Sequence, residues 1–206
     1  RLQTGYEMLE RFGYQPELVI SPEGQPVSFW RAIYKNLHQW QVTHQPNATH
    51  ALLNQDDGDG LYINDEVETH WAELTKPDQP RWSVSVIPTI GKSPILNVDY
   101  AGTDKDGQVP VALQNLLREI SSTEDSGKHH PSLERYLALQ AIRLQLDQEP
   151  LDAETYYWLE GTFTNSNGKL AAPRGDWYPG SGRVRLGVRE VVYRGGRLGV
   201  RPEVRG

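Results

Sequence analysis

The chain has 206 residues, 37% of them apolar, and a formal net charge of −6. Nineteen Gly and fourteen Pro predict many turns and exclude a helical bundle, while six Trp and ten Tyr supply large side chains for a core. The sequence contains no Cys, which excludes disulfides, thiolate metal sites and thiol catalysis. It also contains no apolar run long enough to predict a transmembrane helix.

The N-terminus shows no secretion signal pattern, and together with the lack of cysteine this leads us to expect a cytoplasmic protein. The first residue is Arg1 and not Met, which indicates a piece of a longer protein. We therefore expect residues 1–206 to form one domain at the C-terminal end of a longer chain, with effector or signalling domains fused before it.

Helical patterns appear first near the N-terminus. Residues 1–12 predict a short helix, and residues 28–39 predict an amphipathic helix with apolar side chains at i, i+3, i+4 and i+7. The apolar face of the second helix consists of Trp30, Ile33, Tyr34 and Leu37. Residues 41–80 are predicted to be rich in loops, with one short strand at 61–63.

An acidic stretch in that region, QDDGDGLYINDE, fits part of a calcium-loop pattern. With Gly60 at the sixth position, Gln55, Asp57 and Asp59 fall at positions 1, 3 and 5, and Glu66 falls at position 12. Position 1 is usually Asp, and no pair of flanking helices is predicted. A solvated acidic turn is therefore the alternative to a calcium site formed by Asp57, Asp59 and Glu66.

Strand and helix patterns alternate in the middle of the chain. Residues 82–86 predict a half-buried strand because Trp and Val alternate with Ser, and residues 95–100 predict another. Two helices are then expected, one after Pro110 and one opened by Pro131. Their apolar positions are Leu113, Leu116, Leu117 and Ile120 in the first, and Leu133, Tyr136, Leu137, Ala141 and Leu144 in the second.

Two further features separate and follow these helices. Residues 121–130 predict a polar loop. Asp152 is predicted to cap a short helical turn that leads into residues 156–158.

The C-terminal segment is basic, although the protein as a whole is acidic. Residues 171–206 hold eight Arg, three acidic residues and no Lys, a balance of +5, whereas the other 170 residues carry −11. Arginine suits planar, bidentate and stacking contacts, while lysine is more usual in a solvated tail. The composition therefore predicts that this segment forms a contact surface.

Alternation of apolar and polar residues predicts that the same segment forms two or three short strands. Val184, Leu186 and Val188 alternate with arginines and a glycine, so the apolar set faces a core and the arginines face away. A second apolar run covers residues 191–193, Gly195-Gly196 permits a turn, and residues 198–201 alternate again. A disordered arm would not need valines at alternating positions.

The order of features from Pro131 onward resembles the variable proteins of diversity-generating retroelements. The resemblance is carried by ETYYWLEG, by the arginine-rich segment after it, and by the closing phrase LGVRP at residues 198–202. It implies an α+β fold of the C-type-lectin type, related to the formylglycine-generating-enzyme family, with short strands, two or three helices and many loops. The residues it assigns to the scaffold are Trp158, Trp177, Leu198, Gly199, Val200, Arg201 and Pro202.

The resemblance also implies a source of sequence variation over residues 174–198. Reverse transcription that errs at template adenines randomises the first two bases of codons such as AAC, and such codons cannot reach Trp, Glu, Gln, Lys or Met. Between Arg174 and Arg197, Trp177 and Glu190 are the residues that lie outside the reachable set.

We therefore expect a ligand-binding module without catalytic activity or a required cofactor, since no familiar catalytic motif is present. Its expected exposed, exchangeable contact residues are Asp176, Tyr178, Arg183, Arg185, Arg189, Val191, Val192, Tyr193 and Arg197. For the run at residues 191–193 the alternative is a buried strand of the core. Clustered arginine predicts a protein or other partner that carries anionic groups. The alternative functions are nucleic-acid binding through the arginine surface and, less favoured, metal-dependent catalysis that would use the calcium loop.

Overall fold

Helices and short strands alternate along the chain in the computed structural model, which describes residues 2–53, 60–75, 81–89, 95–121 and 130–205. Over these ranges the fold is mixed α+β, as the sequence predicted. The six α-helices exceed the two or three expected: α1 (Leu2–Arg11), α2 (Val27–His44), α3 (Asp65–Thr69), α4 (Trp71–Thr75), α5 (Val111–Ser121) and α6 (Leu133–Gln145). None of these helices is both long enough and apolar enough to cross a bilayer.

The strands form two sheets in the described ranges. They are β1 (Pro16–Glu23), β2 (Leu61–Ile63), β3 (Arg81–Pro88), β4 (Ile95–Leu96), β5 (Tyr156–Trp158), β6 (Phe163–Thr164), β7 (Leu170–Tyr178), β8 (Arg183–Glu190), β9 (Leu198–Val200) and β10 (Val204–Arg205). The small sheet has the order β1-β3-β10, and the large sheet has the order β2-β8-β7-β5-β9-β4, with β6 also paired to β7. The last part of the chain therefore contributes strands to both sheets.

The two long helices lie where their apolar periodicity placed them, and both pack into the main core. α2 buries Trp30, Tyr34 and Leu37 as predicted, but it continues beyond residue 39 because Gln41 is also buried. The Gln41 side chain accepts a hydrogen bond from Leu52 N (2.9 Å) and donates one to Leu144 O (3.0 Å). The buried amide is thus satisfied at both ends, which keeps the extra helical turns in the core.

α6 begins after Ser132, whose hydroxyl accepts a hydrogen bond from Arg135 N, and it packs against β1, α2 and β7. Its close approach to β7 depends on Gly175, because a Cβ there would lie 2.5 Å from the Tyr136 ring. The helix is therefore buried on most of its surface, including Leu133, Leu137 and Leu144.

Several local predictions were wrong. β1 and β7 were not predicted; both contain Pro, and β1 lies at the edge of the small sheet, where Pro is tolerated. Residues 191–193 follow β8 as a turn and not a strand, and of the predicted strand at 95–100 the structure has β4 alone. Residues 65–69 and 71–75, predicted as loop, are helical. The loop predicted at 121–130 lies mostly outside the described residues.

Asp152 also differs from its predicted role as a helix cap. It adopts a left-handed backbone conformation (φ 60°), and the chain then enters β5 and not a helix. The physical reason is its partner: the fully buried Arg201 donates from Nη2 to Asp152 Oδ1 at 2.7 Å. Burial raises the pKa of Asp152 to about 6, while the adjacent guanidinium acts to lower that pKa.

Arg201 connects the two sheets. Its Nη1 donates to the carbonyl of Pro88 in β3 at 2.6 Å, and its guanidinium lies 4.8 Å above the ring of Tyr157 in β5. A second buried group, Arg135 of α6, bonds to Glu203 (2.6 Å) and to Glu23 at the end of β1 (2.5 Å). Arg135 and Arg201 therefore connect α6 and residues 201–203 to both sheets.

We expect Arg201→Met to lower the free energy of unfolding by about 3–5 kcal/mol near neutral pH, because it leaves the Asp152 carboxylate buried without its cation. The loss should be smaller at acidic pH. Without the guanidinium the Asp152 pKa rises further above 6, so the variant, unlike the parent, continues to lose stability as the pH rises beyond 6. Urea unfolding at several pH values measures both effects.

The control for this experiment is the double variant Arg201→Met with Asp152→Asn, in which residue 152 no longer has a carboxylate to titrate. Its loss relative to the parent should not grow above pH 6. A single variant whose loss is independent of pH would show that Asp152 is not the group responsible.

Candidate ligand-binding surface

The alternation predicted for β8 sorts its side chains onto the two faces of the large sheet. Val184 and Leu186 are fully buried and face the main core, beside Trp177 of the paired strand β7. Arg183 and Arg185 lie on the opposite face, in register with Tyr178 and Asp176 of β7. The strand therefore separates a hydrophobic face from an arginine-bearing one.

Part of this opposite face is covered by other elements, and part is open. Trp158, Ala172, Leu198 and Val200 are buried in a second apolar cluster, which also includes Ile95 and Leu113. The open part, which has the buried Asp176 at its centre, is called the arginine–tyrosine face. It consists of Tyr62, Tyr156, Arg174, Asp176, Tyr178, Arg183, Arg185, Arg189 and Tyr193.

Each arginine of the arginine–tyrosine face lies over a tyrosine ring. The pairs, with the distance from the guanidinium carbon to the ring centre, are Arg185 and Tyr178 (4.2 Å), Arg174 and Tyr156 (4.3 Å), Arg183 and Tyr62 (5.2 Å) and Arg189 and Tyr193 (5.6 Å). Cation–π contacts of this kind contribute about 0.5–1 kcal/mol at exposed sites. They restrict the side-chain rotamers, so the guanidinium groups are held in place before any ligand arrives.

Asp176 was predicted to be an exposed contact residue, but it is buried at the centre of this face. Its side chain is 2% exposed. Its Oδ2 accepts from Arg185 Nη2 (2.5 Å) and Nε (2.9 Å), and its Oδ1 accepts from Arg174 Nη1 (3.2 Å). Burial raises the Asp176 pKa while both arginines act to lower it. The carboxylate therefore orients two guanidinium groups and does not contact a ligand directly.

The other predicted contact residues divide into two groups. Tyr178, Arg189, Val192, Tyr193 and Arg197 are exposed. Arg183, Arg185 and Val191 are half-buried, and Val191 packs against the second apolar cluster. The residues assigned to the scaffold, Trp158, Trp177, Leu198, Gly199, Val200, Arg201 and Pro202, are all buried.

Two concave regions adjoin the arginine–tyrosine face. The first, called the rim cavity, has a volume of about 280 Å³ and is lined by Tyr156, Arg174, Arg189, Tyr193, Gly195, Gly196, Arg197 and Leu198. The second is an open groove of about 480 Å³ lined by Glu66, Asn165, Asn167, Val188, Arg189, Glu190, Val192 and Tyr193. Arg189 and Tyr193 contribute to both regions and so stand between them.

Sequence reasoning missed Tyr62, Tyr156 and Arg174 as members of this surface. The sequence could have indicated Arg174, because it lies two residues before Asp176 and four before Tyr178 and so faces the same side of a strand. The two tyrosines carried none, since each reaches the face only through the pairing of a distant strand with β8 or β7.

The predicted calcium loop is only partly described. Gln55, Asp57 and Asp59 lie outside the described residues. Glu66 is in the first turn of α3, and its Oε1 accepts hydrogen bonds from Ser166 N (2.9 Å) and Ser166 Oγ (2.5 Å), which lower the Glu66 pKa. Among the described residues, no three His, Asp or Glu side chains group as metal ligands. The calcium site stays a prediction.

No protein-family model, curated protein or solved structure matches this chain. Its functional features are therefore those of its own residues. They are a sheet face with four oriented arginines, exposed side chains at residues 189, 192, 193 and 197, and two adjoining concave regions.

We expect Arg185→Ser to lower the free energy of unfolding by about 1–3 kcal/mol, because it leaves Asp176 buried with two charge-assisted hydrogen bonds lost. Arg189→Ser and Arg197→Ser are matched controls, and each should change stability by no more than about 0.5 kcal/mol because both side chains are exposed. Denaturant unfolding measures all three. Equal losses would show that Asp176 does not depend on Arg185.

Proposed function

We propose that this chain is a non-catalytic ligand-binding module whose recognition surface is the arginine–tyrosine face together with residues 189–197. The observation that carries the proposal is that the side chains of β8 and of the loop after it divide into a buried set and an exposed set. Inward side chains such as Val184 and Leu186 are fully buried, while Arg189, Val192, Tyr193 and Arg197 are exposed around two concave regions. Exposed Arg and Tyr are the residue types enriched at interface hot spots.

We further propose that this surface is diversified by adenine-directed reverse transcription. Support comes from Trp177, one of the two residues of the segment that such mutagenesis cannot produce. Trp177 is 3% exposed and belongs to the main core, so a residue that cannot vary coincides with a structural need. The other residue, Glu190, pairs with Lys169 at 2.8 Å, but this ion pair lies at the surface and contributes little to stability.

The fold belonging to this proposal is the C-type-lectin type of the formylglycine-generating-enzyme subclass. The α+β composition and the burial of residues 198–202 are consistent with it. The phrase LGVRP then has a physical reason to be constant. Leu198 and Val200 fill the second apolar cluster, and Arg201 joins the two sheets.

Nucleic-acid binding is the second candidate, and the interleaving of Arg and Tyr on one open sheet face favours it. Single-stranded nucleic acids bind to surfaces that combine basic side chains with aromatic rings. Titration of the protein with a single-stranded oligonucleotide at increasing salt tests this function. Tight binding that falls steeply with salt would favour it over recognition of varied protein or small-molecule ligands.

The gene itself provides the most direct test of diversification. Sibling copies of the gene should differ mainly at Tyr178, Arg189, Val192, Tyr193 and Arg197, because substitutions there change the surface without disturbing the core. Changes should be rare at Asp176, Val184 and Leu186, which are buried. Sequencing of those copies measures the distribution. An even spread of substitutions over the whole chain would end the diversification proposal.

A pair of variant libraries tests the binding module independently of the gene's history. The first library randomises the exposed Arg189, Val192, Tyr193 and Arg197, and the control library randomises the buried Asp176, Val184 and Leu186. We expect most members of the first library to remain folded and to yield binders to unrelated targets. Members of the control library should mostly be unfolded, since each buried substitution removes packing or ion pairs.

A further inference from the structure

We propose that the rim cavity is a binding pocket for a phosphate monoester group, held by Arg174, Arg189 and Arg197. This rests on the proposed function, because it names the chemical class that one part of the same surface recognises. Arg174 is half-buried and would be kept in every copy, whereas Arg189 and Arg197 are exposed and exchangeable, so the phosphate specificity belongs to the sequence of this chain.

The first argument is the charge of the cavity lining. Three of its eight residues are arginines, and none is acidic. Arg174 shares the carboxylate of Asp176 with Arg185. Within the described ranges neither Arg189 nor Arg197 forms an ion pair. The cavity lining therefore has three cationic groups, of which one is paired with a carboxylate outside the lining.

The second argument is the position of Arg174. Its guanidinium is stacked on Tyr156, and its side chain is 14% exposed. Gly187 leaves the space that the guanidinium occupies, since a Cβ there would lie 3.2 Å from both Nε and Nη2. The buried Nε has no hydrogen-bond partner among the residues that the structure describes. Because that Nε is itself inaccessible, Arg174 would meet an oxyanion through the rest of its guanidinium, which lines the cavity.

The third argument is the match of size and charge. A volume of about 280 Å³ lies at the small end of ligand pockets, which suits a compact anionic group with a few attached atoms. A phosphate monoester carries about −1.5 to −2 charges at neutral pH and offers three strong acceptor oxygens. Guanidinium groups bind such oxygens in bidentate fashion. Two arginines without acidic partners therefore match a phosphate better than a singly charged carboxylate.

The test is calorimetric titration of the whole chain with inorganic phosphate, O-phosphoserine and acetate at constant ionic strength. We expect saturable binding of both phosphate compounds and binding of acetate that is at least about tenfold weaker. Tighter binding of O-phosphoserine than of inorganic phosphate would identify an organic phosphate as the ligand, and the reverse order would identify the free ion. Affinity should rise from about pH 5 to about pH 7.5, as the phosphate gains its second charge while arginine stays charged.

Variants separate the pocket from general electrostatics. Arg197→Gln, at an exposed position, should weaken phosphate binding at least about tenfold without a change in melting temperature, and Arg174→Gln should weaken it further. The control Arg118→Gln removes the same charge from an exposed position of α5 that does not line the cavity, and it should bind as the parent does. An equal loss in the Arg118 variant, or equal affinity for acetate and phosphate, would overturn the proposal.

The phosphate experiment and the tests of the proposed function can fail independently of each other. If phosphate does not bind but the library of exposed residues yields binders, the pocket is wrong and the module proposal stands. If phosphate binds through Arg174 and Arg197 but the libraries and sibling genes show no tolerance of variation, the pocket stands and the diversified module does not.

Discussion

The fold depends on one fully buried arginine near the end of the chain. Arg201 reaches the carbonyl of Pro88 in the small sheet and the carboxylate of Asp152 at the entrance to the large one, and its guanidinium covers the ring of Tyr157. A buried cation requires a partner that is both close and well oriented. Because those partners belong to different sheets, the arginine also fixes how the sheets meet.

That constraint explains why a surface on β7 and β8 can be both rigid and open. The strands are anchored from behind by α6 and from the side by β5, which pairs with β7 on one edge and with β9, the strand that ends next to Arg201, on the other. The arginines in front are oriented by Asp176 and by tyrosine rings instead of by mobile loops. A site held in this way loses little conformational entropy when it binds. The same anchoring does not involve the exposed side chains of Arg189, Val192, Tyr193 and Arg197.

Periodicity was enough to find the elements whose burial is regular. The long helices α2 and α6 followed from the 3.6-residue repeat, and β8 followed from strict alternation of Val or Leu with polar residues. The strand β7 was not predicted, because Pro173 and Gly175 interrupt the alternation of apolar and polar residues. The structure explains Gly175, since a larger side chain there would collide with the ring of Tyr136 in α6. Asp176 was assigned to the correct face, but its burial depends on the register that places it opposite Arg185. Such a pairing between strands is invisible without the fold.

The sequence separation of the Arg201 contacts has a consequence for how the chain folds. The bond from Arg201 to Pro88 spans 113 positions, and that to Asp152 spans 49, so neither can form until residue 201 has been synthesised. A chain that stops between residues 153 and 200 contains Asp152 but lacks the arginine that pairs with it. Such a chain would bury a carboxylate without its cation, and misfolded products of this kind are degraded in cells. A folded arginine–tyrosine face therefore requires that the message has been translated in frame as far as Arg201.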